Sequence, residues 1–467
     1  MEQSKSKTLI TDFTQGPVMK ALLTFAFPLF LSNLLQAVYN VVDMVVVGQV
    51  VGEAGLSALA NGGDLVGFLT FISMGFSTAC QTIISQYIGA NLRERLSRFI
   101  GTMASFLLLC AVVVSVVCFF LRREILTLLN TPEESFQYAL QYSTTCMCGL
   151  VFIYGYNIVS AILRGMGDSK RPFVFISIAA VMNLVLDILF VAVFHWGPFG
   201  AALATVIAQG FSFLAALVYL YHRRETLGFT FSMRHFRIDR TELGPLLKLG
   251  IPAALSSASI MISKLFVNSF INSYGVTVSA VSGVTHKVDM FANLICFAIS
   301  SAGSSMVGQN LGAGRYDRVK RILGCSYLIN IISSGIMTTL LLSFPTQIFG
   351  IFTQEAAVLT VCLEYIPVSM VCFWGSAVRG AMNTFNMGSG NYKLNYAIGL
   401  LDGIVARIGL SLLFGLVFDW GYFGFWMGNA VAGLTPFFLG IVYYLSGTWK
   451  KTTSVLKEVT KQEELSS

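Results

Sequence analysis

Two aspartates stand inside long apolar runs of this chain. Asp43 lies within VYNVVDMVVVGQ and Asp187 within VMNLVLDILF. Asn183 precedes Asp187 by four residues, so in a helix the two project from one face. Thr205, within ALATVIAQ, adds a hydroxyl from a further apolar run. Together they offer two carboxylates, an amide and a hydroxyl, all oxygen donors, which suits a hard cation such as Na⁺. A proton is served equally well, because two neighbouring carboxylates resist ionising together. The plain alternative is a polar knot that only locks helices together.

The elements that must position these groups are set by composition. The 467 residues are 55% hydrophobic and 11% charged, with a mean hydropathy of +0.73. Soluble domains carry roughly a quarter charged residues, so lipid is the solvent here. Apolar stretches of about 20 residues match a helix crossing a ~30 Å hydrocarbon core. They predict spans at roughly 18–47, 55–88, 97–121, 135–163, 172–195 and 199–221, then 246–273, 279–310, 319–350, 355–385, 393–418 and 421–446. The first run is too long for a signal peptide and has no tidy cleavage site. Residues 1–17, 222–245 and 447–467 are left as an amino-terminal segment, a linker between lobes at 18–221 and 246–446, and a tail.

Basic residues fall in every second loop: Arg93, Arg95 and Arg98; Arg164, Lys170 and Arg171; Arg223 through Lys248; Arg315, Arg318, Lys320 and Arg321; Arg379 and Lys393; Lys450, Lys451, Lys457 and Lys461. Arg122 and Arg123 are exceptions, followed by Glu124, Glu133 and Glu134. This alternation puts both termini in the cytoplasm and favours twelve spans. The two halves also resemble each other. Phe27-Pro28 matches Ile251-Pro252, and Trp196-Gly197 with Gly200 matches Trp420-Gly421 with Gly424, both 224 residues apart. QYIGANLRERLSR at 86–98 matches QNLGAGRYDRVKR at 309–321, and Arg164-Gly165 is set against Arg379-Gly380. Six helices per half give both repeats one orientation and place a substrate cavity between them.

By this repeat Asp43 becomes Val267, Asn183 becomes Arg407 and Asp187 becomes Ser411, so a site of this design exists in the first half alone. The second half carries Lys264, His286, Lys287, Asp289, Glu364, Asp402 and Arg407. Asp402 and Arg407 are candidates to pair, as are Lys264 or Lys287 with Asp289 or Glu364, although a proton relay stays open. Asp64 is assigned to helix packing. The nine cysteines read as small buried hydrophobes without metal spacing. The net charge of +7 sits in short loops, not on one polar face, so no nucleic-acid partner is expected. No GxSxG, HExxH, P-loop or GxGxxG stands in a suitable context, so no enzyme is expected and transport must run on an ion gradient.

VYNVVDMVVVGQVVG, ILRGMGDSKRPF, NLVLD and MVGQNLGAGRYDRVKR resemble the multidrug and toxic compound extrusion (MATE) family over roughly residues 15–446. The resemblance implies an all-α membrane bundle of two six-helix lobes that exports organic, often cationic, molecules in exchange for Na⁺ or H⁺. It implies that Asp43, Asn183, Asp187 and Thr205 match the cation-coupling set of the DinF-like branch, and that Gln36, Tyr39 and Asn157 match residues of that branch's inner cavity. Other branches place carboxylates in the seventh and tenth helices; here the seventh offers Lys264, leaving Glu364 as a loose counterpart. The resulting expectation is a monomeric antiporter of a bacterial inner membrane, with drug-like substrates and no cofactor beyond the coupling ion. A lipid-linked precursor flippase is the nearest rival, and a membrane-embedded enzyme or receptor the next.

Overall fold

A computed structural model describes residues 10–129, 131–224, 226–227 and 237–451. Those residues are helical throughout, without strands. Helix α1 runs Val18–Val51, α2 Glu53–Gly89 and α3 Arg93–Leu128. Helices α4 (Glu133–Cys148) and α5 (Leu150–Gly165) meet at a 48° bend. Helix α6 (Lys170–Asp187) continues as a π-helical turn to Val193, and α7 spans Gly197–Arg223. The second series comprises α8 (Arg240–Asn272), α9 (Val276–Gly312), α10 (Tyr316–Ser343) and the short α11 (Pro345–Gly350). Then come α12 (Ala356–Glu364) and α13 (Ile366–Gly388), bent by 52°. Helices α14 (Tyr392–Leu400) and α15 (Arg407–Leu412) are joined and followed by π-helical turns; α16 (Gly421–Ala432) and α17 (Thr435–Leu445) close the series. Ten helices or continuous helical runs are long and apolar enough to cross a membrane, and each bent pair, taken as one span, brings the number to twelve.

The bends have local causes. At Gly149, an added Cβ would lie 2.4 Å from a methyl of Val206, so α7 presses on backbone there. Pro367 in the first turn of α13 removes a helical donor beside Tyr365, where the second bend falls. The ninth predicted span, 319–350, is shorter than expected: α10 stops at Ser343, and Pro345 starts a separate helix. Arg379, expected in a loop, lies inside α13, where its guanidinium donates to Asn293 Oδ1 at 2.9 Å. Helix α8 begins at Arg240, inside the expected linker, while residues 225 and 228–236 of that linker, 1–9 of the amino-terminal segment and 452–467 of the tail lie outside the described residues.

The chain forms two compact units. Of the described residues, the first holds those up to Thr11 and those from Leu31 to Leu247, and the second holds Asp12–Phe30 and those from Lys248. Two helices are therefore shared: α1 begins in the second unit and continues in the first, and α8 does the reverse.

The backbone of one unit repeats in the other. Gly52, Asn91 and Gly167 adopt left-handed φ values of 79°, 58° and 83°, and Gly275, Gly314 and Gly390 do so 223 residues later. At the α6–α7 corner, Trp196 N–H donates to Phe190 O, His195 has φ 56°, and Phe190, Phe194, Trp196 and Phe199 stack in series. The corner before α16 copies this 224 residues on, with Trp420 donating to Phe414 O, Asp419 at φ 54° and Phe414, Phe418 and Phe423 around Trp420. Such an aromatic corner suits the boundary between hydrocarbon and water. One expected match is displaced. A Cβ on Gly165 would meet Ile84 and the Gln81 carbonyl, whereas one on Gly388 would meet Val307 and the Ser304 carbonyl. These partners are again 223 apart, so Gly165 corresponds to Gly388 and not to Gly380.

Close helix approach in the second unit depends on glycine. A Cβ at Gly428 would lie 2.5 Å from the backbone of Ser411, with no side chain able to yield. Gly428→Leu should lower the thermal unfolding temperature of purified protein, reflecting a loss of at least about 1–3 kcal/mol. Gly63→Ala, where nothing lies within 4 Å of the added Cβ, should leave it unchanged.

Candidate functional site

Three helices of the first unit deliver polar groups to one place. On α1, residues 36, 39, 43 and 47 recur at three- and four-residue spacing, so Gln36, Tyr39, Asp43 and Val47 form one stripe. On α6, Ala180, Asn183 and Asp187 do the same, and on α7 the series is Ala201, Thr205 and Ala208–Gln209. Asp43, Asn183 and Asp187 are all buried, Asp187 completely. The Asp43 and Asp187 carboxyls are electrostatic neighbours, and Asn183 Nδ2 donates to Thr205 Oγ1 at 3.4 Å.

The oxygens of this set are unmet. Among the described residues nothing donates to Asp43 Oδ1, Asn183 Oδ1 or either oxygen of Asp187. Four buried acceptors without partners on α1 and α6 are costly unless a cation, a proton or water joins them. Two bare carboxylates so close repel each other, and a bound proton or Na⁺ removes that repulsion. The donors present, carboxylate, amide and hydroxyl, fit either ion, and no constellation of three His, Cys, Asp or Glu exists among the described residues to suit a heavier metal.

The surroundings limit what can enter. A space of about 10 Å³, roughly that of one water molecule, lies among Tyr39, Ala179, Ala180, Asn183, Thr205 and Gln209. Alanine at three of its wall positions, including Ala208, leaves the room. On the next turn, Val47, Leu59, Val191 and Ala201 form a buried apolar cluster. Val191 follows Asp187 by four positions in the π-helical turn, where the wider helix re-aims side chains. The polar set thus rests against a dry floor.

The other expected cavity residues are placed more loosely. Asn157 on α5 donates to Ser73 on α2 at 3.2 Å, and Gln36 is half-buried two turns from Asp43. Two residues went unnoticed in the sequence. Gln209 stands one turn beyond Thr205, a spacing that could have revealed it, and Tyr142 on α4 lies near Asp43. No spacing rule links Tyr142 to α1. Asp64, expected in helix packing, is exposed instead.

The second unit meets the same positions differently. Arg407 replaces Asn183, and Asn429 replaces Thr205. Its guanidinium donates to Asn429 Oδ1 at 2.8 Å and lies 3.1 Å from Asp402, all three groups at membrane depth. Ser411, the counterpart of Asp187, donates to the Phe425 carbonyl, and Val267, the counterpart of Asp43, is buried in an apolar cluster. A tethered cation thus stands where the first unit leaves oxygens open. The other expected pairs do not form. Asp289 accepts from Tyr365 Oη at 3.1 Å and Ser369 Oγ at 3.0 Å, while Glu364 is exposed and accepts from Tyr422. Neither is within ion-pair distance of Lys264 or Lys287 among the described residues, because hydroxyls on the neighbouring helices reach the carboxylates first.

Fold and site together define a multi-pass membrane protein with a parallel internal repeat and an acidic cluster in one half only. The MatE family model matches residues 28–189 and 252–417, and the chain belongs to that family. The probable multidrug resistance protein YpnP of Bacillus subtilis (strain 168) is 30% identical over 444 residues, covering 94% of this chain and 97% of that protein. YoeA of the same organism, also a probable multidrug resistance protein, is 30% identical over 385 residues, covering 81% and 82%. A solved MATE structure in a straight conformation has the same fold, with a TM-score of 0.87 at 20% identity over 97% of this chain and 100% of that one.

Arg407→Gln would leave Asp402 buried without its counter-charge, at a cost of about 3–5 kcal/mol. Thermal unfolding should show a large drop for this variant. Asp402→Asn combined with Arg407→Gln should recover part of it.

Proposed function

We propose that this chain is a secondary active antiporter. It exports small organic, often cationic, drug-like molecules in exchange for Na⁺ or H⁺ by alternating access. The observation that carries this reading is the set of unmet oxygens on Asp43, Asn183 and Asp187 at membrane depth. Support comes from the MatE family match and from relatives named as multidrug resistance proteins. The alternation of basic loops supports a bacterial inner-membrane location with both termini cytoplasmic.

The coupling ion bridges the two carboxylates, and Asn183 and Thr205 complete its ligand set. Its arrival removes the repulsion between Asp43 and Asp187 and draws α1 and α6 together around it. Tyr39 and Gln36 share the Asp43 face of α1, so this rearrangement reshapes the wall that holds substrate in the first unit. Loss of the ion reverses it. Moving one charge across ~100 mV supplies about 2.3 kcal/mol, which a concentration gradient of the ion supplements. The flippase reading needs free inward cations to hold a pyrophosphate. Arg407 is already engaged by Asp402 and Asn429, which weighs against it.

Purified protein in liposomes, with Na⁺ and pH gradients imposed separately, tests this reading. Ion-driven ethidium efflux should fall at least about tenfold, the equivalent of 1.4 kcal/mol, in Asp43→Asn and in Asp187→Asn. Asn183→Ala should fall less, because an amide ligand carries no full charge. Wild-type efflux by correctly folded Asp43→Asn and Asp187→Asn proteins would sink the assignment.

A further inference from the structure

We infer that the start of α10 in the second unit carries a binding site for an anionic phospholipid. A groove of about 440 Å³ runs between Gly16–Met19, where α1 begins, and the start of α10 as far as Leu328. Its polar end is formed by Arg318 and Arg321, and its walls are Val18, Met19, Cys325 and Leu328. Along α10 the two arginines come first and Leu328 last, an order that matches the two parts of a lipid, a phosphate and an acyl chain.

The two arginines have different duties. Arg318 is 9% exposed and clasps the lead-in segment, donating to the carbonyls of Phe13, Gln15 and Gly16 at 3.0 Å each. Arg321 is exposed and forms no ion pair with any described residue, Asp317 one turn earlier included. Among the described residues it is therefore the free cation at the groove's mouth. Beyond it, Gly324 lies open, with nothing within 4 Å of where a Cβ would stand. The track continues over Leu328, Ile332 and Ile336, each more than half exposed along one face of α10. An acyl chain laid from Gly324 would follow that stripe into the hydrocarbon.

The repeat supplies the control. In the first unit the counterparts of Arg321, Gly324 and Cys325 are Arg98, Gly101 and Thr102. There the lead-in to α8 closes the position. Asp239 lies 3.9 Å from Arg98, its N–H donates to Thr102 Oγ1, and Gly101 is buried. Partial burial pushes the Asp239 carboxyl up. Hydrogen bonds from Thr241 and the charges of Arg98 and Arg95 outweigh this and hold it below its ordinary value. One arginine is neutralised by a neighbouring carboxylate, whereas the other has no anionic partner among the described residues and can take an anion from outside. A basic residue at the membrane surface attracts anionic lipid by about 1 kcal/mol, and the groove adds contact for the chain.

Native mass spectrometry of the detergent-purified protein titrated with phosphatidylglycerol tests this. Wild type should bind phosphatidylglycerol in preference to phosphatidylcholine. Arg321→Gln should weaken that binding about fivefold, the equivalent of about 1 kcal/mol. Gly324→Leu, whose Cβ meets no atom within 4 Å and whose side chain starts from the groove lining, should weaken it comparably, whereas Lys320→Gln, one position from the groove lining, should not. Glycerol phosphate, which has the headgroup charge but no acyl chain, should fail to compete. The inference is overturned if Arg321→Gln and Gly324→Leu bind as wild type does. It is equally overturned if Lys320→Gln loses as much, or if glycerol phosphate displaces the lipid. None of these readouts depends on ion-driven efflux, so this inference and the antiport reading stand or fall apart.

Discussion

A carboxylate held away from water costs several kcal/mol unless a cation, a proton or well-placed donors meet it. Each half of this chain answers that cost in its own way. In the first unit Asp43 and Asp187 are neighbours with acceptors unfilled, the arrangement on which the proposed ion coupling rests. In the second, Asp402 is met by Arg407, and Asp289 by the hydroxyls of Tyr365 and Ser369. One scaffold therefore carries an open site and a closed one. In the proposed antiport the open site would gain and lose an ion during a cycle, whereas the closed one is already satisfied by its own side chains.

The scaffold beneath both answers is the same backbone. Left-handed turns at Gly52, Asn91 and Gly167 recur at Gly275, Gly314 and Gly390, and the aromatic corner at Trp196 recurs at Trp420. In hydrocarbon every backbone group must be satisfied within the helix or by a neighbour, which makes such corners hard to alter and preserves them through duplication. Side chains facing a shared interior are freer to change. Asn183, Thr205 and Asp187 correspond to Arg407, Asn429 and Ser411 with the left-handed turns kept, although Leu401–Ala406 before Arg407 is π-helical where α6 stays α-helical. The same freedom left Arg98 paired and Arg321 unpaired among the described residues.

Much of this was legible in the residues themselves. Apolar length fixes the number of spans because the hydrocarbon is about 30 Å thick, and the 223–224-residue offset exposes the repeat. The i, i+4 spacing of Asn183 and Asp187 puts both on one face, and the oxygen chemistry of the set follows from residue type. What sequence could not supply was which helices meet. Arg379 reads as a loop cation beside Lys393 but lies inside α13 against Asn293, because a basic residue's depth depends on a partner from another helix. Lys264 and Asp289 look like an ion pair, yet Tyr365 and Ser369 reach the carboxylate first.

By itself, then, the sequence determined the membrane class, the duplication and the loss of symmetry between its halves, since each is written in local composition and period. Tertiary structure decided that Asp43 on α1 and Asp187 on α6 come together, that Gln209 joins a small space beside Asn183 and Thr205, and that Val47 and Val191 meet in an apolar cluster one turn from the carboxylates. It decided too that α1 and α8 each begin in one unit and end in the other. These are meetings between residues far apart in the chain, and no local pattern encodes a meeting: helix packing alone selects the partner.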